Sequence, residues 1–323
     1  MNNIAKIYVG IDVSKKQLDT YLYPLGKKKQ FSNDENGFVK LIEMLESLEN
    51  VDIVAFEASG GYERSLLLTL QEKKFKAWRI EPKRVKGFIR SEGVLVKTDS
   101  SDAKMIARFA AEKASQYLPI TTTQADFQLQ AWINRKEAIV QMISAEKTRL
   151  HQTNDPVVEK SIRRHLEYLE AEKLELEKNI DNAIKNDDDW RSKSKILQSA
   201  PGIGKGISAM LIAFLPELGK VDNKKIAAIV GVAPYTRQSG TFKGKAMVSG
   251  GRFSVRKITY MAAVNAVSKT HDWGKFYRKL VSRGKSGKVA LIAVVRKILT
   301  TLNSLVRDNR LWAPERVNEE FSV

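Results

Sequence analysis

Apolar and polar positions along the first third of the chain alternate between two periods. Ile4–Asp12 is an apolar, β-rich run, Leu18–Tyr23 alternates apolar with polar, and Lys28–Ser32 is a shorter third strand candidate. From Asn36 to Leu48 the spacing becomes helical, with Phe38, Leu41, Ile42, Leu45 and Leu48 on one face. Ile53–Phe56 reads as a buried strand, Tyr62–Glu72 as a helix and Ala77–Ile80 as a strand. Pro82–Arg90 then opens another helix, with proline in its first turn. The predicted order is βββαβαβα.

Three strands followed by αβαβ is the element order of an RNase H-like α/β fold. The pattern changes at Gln124. Leu129, Ile133, Val140, Ile143 and Leu150 follow a 4-3 heptad spacing, with Lys136 and Lys147 on the same seam. A second run has Ile162, Leu166, Leu169, Leu176 and Ile180, with Lys173 on its seam. Asn154-Asp155-Pro156 lies between the two and breaks the helix. Residues 124–187 therefore read as a coiled-coil helical hairpin, although a plain helical bundle fits the same spacing. The acidic run Asp187–Asp189 reads as a linker. The remainder, 188–323, reads as mostly α, interrupted by a Gly-rich loop from Ser239 to Gly251. Three parts are expected: 1–123, 124–187 and 188–323.

Charge sharpens this outline. The 323 residues carry a formal charge of +18, which points to a polyanionic partner. From Asn223 to His271 there is no Asp or Glu, while Lys224, Lys225, Arg237, Lys243, Lys245, Arg252, Arg256, Lys257 and Lys269 fall in that stretch. A solvated face usually mixes signs, so the segregation favours a phosphate-facing surface. The chain has no cysteine and three scattered histidines, which excludes disulfides, thiolate zinc sites and cysteine nucleophiles. Any metal is expected among carboxylates, which suits Mg²⁺ or Mn²⁺. No run of about 18 consecutive apolar residues is present, and the first residues lack a signal-peptide pattern. The expectation is a cytoplasmic, nucleoid-associated protein without a membrane partner.

Four carboxylates stand where such a fold holds metal. Asp12 ends the first strand in YVGIDVS, and Glu57 ends the next buried run in DIVAFEASGGY. Asp99 and Asp102, in VKTDSSDAKMIARFA, have the three-residue spacing that shares a helical face. Each also has a plainer reading. Asp12 can cap a turn, Glu57 can be an exposed strand end, and Asp99 and Asp102 can mark a helix start. VGIDVS also resembles the first phosphate loop of actin and sugar-kinase ATPases, but the second, DxGGG-type loop those proteins need is missing from the sequence. A buried Glu57 would need a partner or a metal, and Gly60-Gly61 beside it permits close backbone packing. Together the four carboxylates can hold two metal ions about 3.5–4 Å apart, an arrangement that acts on a phosphodiester.

PGIGKGISAMLIAFL, from Pro201, looks like a helix-hairpin-helix turn. Gly202, Gly204 and Lys205 would receive a phosphate there without reading sequence; an ordinary Gly-rich turn between helices is the plainer alternative. In GVAPYTRQSGTFKGKAMVSGGRFSVRKITYMAA, Ser239 has Arg237, Lys243 and Lys245 nearby, with Arg252 and Arg256 further on. A serine hydroxyl is a poor nucleophile at neutral pH, and Ser249 and Ser254 offer the same bare chemistry.

The stretches YVGIDVSKKQLD, FEASGGYE, SEGVLVKTDSSDAKMIA, the PGIG turn, GVAPYTRQSGTFKGK and GGRFSVRKITYMAA resemble the DEDD-type insertion-sequence transposases, the IS-one-ten family. They come in the expected order along nearly the whole chain. The resemblance implies a RuvC-like domain whose DEDD metal ligands are Asp12, Glu57, Asp99 and Asp102, and a transposase domain whose serine nucleophile is Ser239. It also implies donor and target DNA as substrates, oligomeric assembly as a dimer or tetramer, and, in related members, a structured bridge RNA that pairs with both DNAs. The alternative is a RuvC-like metal-dependent endonuclease with water as nucleophile, for which Ser239 is only a phosphate-binding loop residue.

Overall fold

The computed structural model describes residues 5–93, 99–235, 238–239, 242–243, 247–268 and 272–313; for 99–101, 238–239 and 242–243 the backbone path alone is described. The chain divides into two compact units, Met1–Gln124 and Ala125–Val323.

The first unit is built on a mixed sheet. Its strands are β1 (Ile7–Val13), β2 (Gln17–Tyr23), β3 (Lys27–Ser32), β4 (Val51–Glu57) and β5 (Ala77–Ile80), in the order β3-β2-β1-β4-β5. β1, β2 and β3 pair antiparallel, whereas β1, β4 and β5 run parallel. Continuous apolar sequence marks the two middle strands: Val9, Ile11, Val54, Ala55 and Phe56 are all fully buried. That is the pattern of strands covered on both faces. The edge strand β3, by contrast, is mostly exposed and carries Lys27, Lys28 and Lys29, charges that blunt an open sheet edge against unwanted pairing. The unit's helices are α1 (Glu35–Glu46), α2 (Arg64–Glu72), α3 (Pro82–Ser91) and α4 (Asp99–Glu112). Asp34 caps α1 by accepting from the Gly37 amide at 2.8 Å. The element order expected from the sequence is present, as a mixed α/β sheet consistent with an RNase H-like transposase domain.

The second unit is helical. α5 (Gln124–Gln152) and α6 (Pro156–Asn186) are separated by Thr153, Asn154 and Asp155, and Asp155 caps α6 with Pro156 in its first turn. Ile139, Ile143, Ile162, Leu166 and Leu169 form their shared apolar cluster. Cross-pairs Arg135–Glu172 at 2.8 Å and Lys147–Glu170 at 3.1 Å lie beside it. Against the sequence expectation, Ile139 is fully buried and Val140 is 44% exposed. The acidic run is also not a linker. Asp187 caps α7 (Asp188–Ser199) through the Trp190 amide, and Asp188 and Asp189 fill its first turn, where the helix dipole favours negative charge.

Four further helices follow α7 and α8 (Lys205–Phe214): α9 (Asn223–Val230), α10 (Phe253–Val267), α11 (Asp272–Ser282) and α12 (Gly287–Arg307). α12 is the apolar centre of this unit; Val294, Val295, Ile298 and Leu299 are fully buried in it. Asn303, also fully buried, is satisfied. Its Oδ1 accepts from the Gly219 amide at 2.8 Å and its Nδ2 donates to Val221 O at 2.8 Å, as a buried amide requires.

Candidate active site: a carboxylate sheet end and a basic loop

The geometry of the sheet brings two of the sequence-predicted carboxylates together. The parallel register of β1 and β4 ends at Ile11↔Phe56, so Asp12 and Glu57 are the next residues on neighbouring strands, which lie about 4.8 Å apart. Both are half-buried. The face they occupy follows from Gly10. A Cβ built there would meet Ala103 O at 2.1 Å and Ala107 N at 2.4 Å, so α4 rests directly on this residue. Side chains two apart on a strand share a face, which puts Asp12 on the α4 side.

α4 runs opposite to β1. Ala103 joins Asp19, Tyr21, Lys28 and Gln30 around a concavity of about 300 Å³, and the segment after the helix, with Ala114 and Tyr117, packs on the cluster that includes Tyr8. The first turn of α4, bearing Asp99 and half-buried Asp102, therefore lies toward the Asp12 end of the sheet. The Asp99 side chain lies outside the described residues. Among the described residues, no three His, Asp or Glu side chains form a group able to hold one ion.

Sequence reasoning missed three residues here. Asp19 stands directly across from Asp12 in the β1–β2 register, and Gln30 Nε2 donates to its Oδ1 at 2.9 Å. Like charges directly opposite on a sheet repel, so a cation is electrostatically welcome beside this pair. The signal was present in YVGIDVSKKQLD, because a short turn after Val13 folds Asp19 back onto Asp12. Glu63 is 2% exposed and organises the loop leaving Glu57. It accepts from Ser59 N at 3.1 Å, Ser59 Oγ at 3.1 Å and Gly61 N at 2.9 Å, and Arg79 stands 3.5 Å away. Burial is the largest single influence and pushes this carboxyl up. The amide donors of Glu63, Gly61 and Ser59, together with the Arg79 charge, outweigh it and hold the carboxyl below its ordinary value. Gly60 at φ 74° and Gly61 at φ 115° supply the left-handed turn. Asn33 ties the two strand exits together, its Nδ2 donating to Ser14 O at 2.8 Å and Tyr62 O at 3.1 Å. No periodicity marks such a residue.

In the second unit the PGIG turn joins α7 to α8. Gly202 has φ 85°, and a Cβ on it would meet Ala266 Cβ at 2.9 Å. Gly204 begins α8 without a side-chain cap, which leaves amides for an anion. The turn, with Asn265 of α10 and Ser268 just after that helix, lines a concavity of about 490 Å³. Lys205 pairs with Asp181 at 3.2 Å on the surface, an exposed contact of small energy.

Ser239 lies in a two-residue ribbon, β6 (Gln238–Ser239) with β7 (Phe242–Lys243), registered Ser239↔Phe242. The side chains of Ser239 and Lys243, and Arg237 and Lys245 entirely, lie outside the described residues. The neck of this loop is described in full. Tyr235 and Met247 exchange amide bonds of 2.9 Å. A Cβ on Gly231 would meet Gly250 O at 2.1 Å, and one on Gly251 would meet Gly231 N at 2.3 Å, so the two chain segments touch backbone to backbone. Arg256 Nη1 donates to Val230 O at 3.4 Å, Gly231 O at 3.2 Å and Gly250 O. Arg252 makes a two-pronged pair with Glu217, which is 5% exposed, and donates to Phe214 O at 2.9 Å. Both guanidinium groups, read from the sequence as phosphate contacts, are engaged within the chain and brace the neck. Of the other serines, Ser249 Oγ shares a 2.9 Å hydrogen bond with the Tyr235 hydroxyl, and Ser254 is exposed in the first turn of α10.

Two family models match these two regions in turn. A DEDD transposase model of the IS110 group covers residues 9–155, and a transposase model of the IS116/IS110/IS902 family covers residues 194–278. The chain belongs to the IS110 family of transposases. Relatives agree with that membership. The chain is 24% identical over 328 residues to the pilin gene-inverting protein of Moraxella lacunata, covering 98% of this chain and all of that one. The Moraxella bovis protein of the same description matches over the same shares at 24% identity. A protein of the insertion element IS116 from Streptomyces clavuligerus is 29% identical over 125 residues, 38% of this chain and 31% of that protein. As an IS110-family transposase, the chain is a DNA-recombining enzyme, and its DEDD domain places it in a class that depends on a divalent metal.

Proposed function

We propose that this transposase cuts and rejoins DNA through a covalent ester between Ser239 and a DNA phosphate, assisted by Mg²⁺ or Mn²⁺ held by Asp12, Glu57, Asp99 and Asp102. The observation that carries the metal reading is the side-by-side placement of Asp12 and Glu57 at the ends of adjacent parallel strands, on the face where the first turn of α4 arrives. An all-carboxylate donor set in a chain without cysteine fits a hard divalent ion. Bound there, such an ion supplies Lewis-acid polarisation of the phosphate.

The serine step balances without an external energy source. The Ser239 oxygen forms a bond to phosphorus as a sugar oxygen of the DNA leaves, taking up a proton. In rejoining, a sugar hydroxyl attacks the same phosphorus and releases the serine. One phosphodiester-type bond is exchanged for another each time, so ATP is not needed. That economy suits a recombinase related to proteins named for inverting a gene, since an inverted segment must end with continuous strands. Gly202, Gly204, Lys205, Arg237, Lys243 and Lys245 would hold DNA phosphates near the serine loop. Arg252 and Arg256, which brace the neck of that loop, would add their charge to the same phosphate-facing surface.

We further propose a RuvC-like identity for the first unit, a coiled-coil role for α5 and α6 in assembling a homo-oligomer, and a guide RNA as second polyanion. The charge of +18 supports two nucleic-acid partners. The deciding experiment is Ser239→Ala with donor DNA and Mg²⁺. Protein–DNA adducts on denaturing gels are expected with the unaltered chain and absent from the variant. Cutting that survives in the variant without adducts would instead identify a water-using endonuclease. RNA recovered with the purified protein and sequenced tests the guide.

A further inference from the structure

Helix α3 presents a feature that the catalytic reading does not use. Successive helix residues turn by about 100°, so Lys83, Lys86, Gly87 and Arg90 fall within about 100° of arc. All four are exposed, whereas Val85 and Phe88 on the far side are buried. Glu81, just before the helix, falls on the side away from the stripe, and Glu92, just after it, pairs with Arg108 at 2.5 Å. The stripe therefore reads as uniformly cationic. Arg84 lies off it, its guanidinium 5.6 Å from the Trp78 ring and 5.3 Å from the Phe109 ring.

Gly87 sits in the middle of this stripe. Glycine is the poorest helix former after proline, and an exposed mid-helix glycine needs a reason. Packing against the described residues gives none, because a Cβ built at Gly87 meets no atom of theirs within 4 Å. Three long cations around a missing side chain make a shallow seat where a polyanion backbone can reach the helix itself. The placement is also telling. α3 starts two residues after Ile80, which pairs with Glu57 in the sheet, so the stripe opens at the carboxylate end.

We propose that the Lys83–Lys86–Gly87–Arg90 face of α3 is a docking surface for the sugar-phosphate backbone of duplex DNA beside the carboxylate site. The occupant is DNA because the strand to be cut must lie at that end of the sheet; to this extent the inference rests on the proposed carboxylate site.

The test uses the full-length protein and a labelled 30-base-pair DNA duplex in EDTA, so that no cleavage enters. Each phosphate contact contributes about −0.9 to the slope of log affinity against log salt. The triple variant Lys83→Ala, Lys86→Ala, Arg90→Ala is expected to flatten that slope by about 2–3, with its Tm within about 2 °C of the unaltered protein. Gly87→Ala is expected to raise the Tm by about 2–4 °C while weakening DNA binding several-fold. An unchanged slope in the triple variant, or a loss confined to an RNA duplex of the same length, overturns the inference. A stabilised Gly87→Ala protein that binds DNA undiminished overturns the seat. Because the assay needs neither metal nor Ser239, a failed adduct experiment would sink the serine reading and leave this result standing.

Discussion

The two halves of the candidate machinery are held by different means. At the sheet end, main-chain register sets Asp12 beside Glu57, and the closeness of α4 depends on one missing side chain at Gly10. At the serine loop, the described ribbon pairs Gln238 with Lys243 and Ser239 with Phe242, and the side-chain contacts lie at the neck. There the work falls to Arg252, Arg256 and Glu217 at the neck, along with the glycine contacts. A sheet site should thus be insensitive to remote charge changes, and the serine loop should be vulnerable to them.

The largest effect is expected at Gly10. Gly10→Ala places a Cβ 2.1 Å from Ala103 O, so α4 must move off the sheet. We expect a loss of about 3 kcal/mol or more, read as a lowered Tm, together with loss of metal-dependent cutting. If Gly10→Ala melts and cuts like the parent, close approach is not what positions the first turn of α4.

Glu217→Ala should come next. It strands Arg252, whose side chain is 37% exposed, and this partial exposure moderates the cost of breaking the pair to about 2–3 kcal/mol. Serine–DNA adducts should fall while Mn²⁺ binding, followed by paramagnetic relaxation of water, stays at the parental level. Replacing both partners with Arg252→Met and Glu217→Leu should restore most of the stability, since a well-packed apolar pair often substitutes for a buried ionic one. Loss of Mn²⁺ binding in Glu217→Ala would erase the contrast between the halves.

A smaller effect is expected from Glu63→Gln, about 1–2 kcal/mol, because an amide cannot accept from all the donors now aimed at the carboxylate. The pH dependence has a definite sign. The folded carboxyl lies below its ordinary value, so its stabilisation is complete above the ordinary carboxylate range. It is lost as pH falls through that range toward the lower folded value. Urea midpoints measured against pH should show a shallower acid decline in the variant. An unchanged decline would mean that other carboxylates govern it.

The same contrast governs what could be read from the sequence. The strands and helices of the first unit followed from apolar spacing, and Asp12 and Glu57 were marked by standing where apolar runs end. Helix breaks at Asp155–Pro156 were equally plain, because capping and proline chemistry are local. Local reading failed where local signals compete. Asp187–Asp189 looked like a linker, yet an acidic first turn is also how a helix begins, and burial chose Ile139 over its neighbour Val140. Long-range partners were invisible. Glu63 matters through hydrogen bonds to a loop it closes, Asn33 through two carbonyls on different segments, and Arg252 through an acid 35 positions earlier. A cation in a basic stretch carries no mark of such an internal partner.

The neck has one more consequence. Arg256 grips main-chain oxygens, Tyr235 and Met247 exchange main-chain bonds, and the glycines meet through bare backbone. Among the described residues, that fastening runs through main chain and through Arg256, all outside residues 236–246. Grafting the corresponding segment from a Moraxella relative should therefore preserve the main-chain pairing of Tyr235 with Met247.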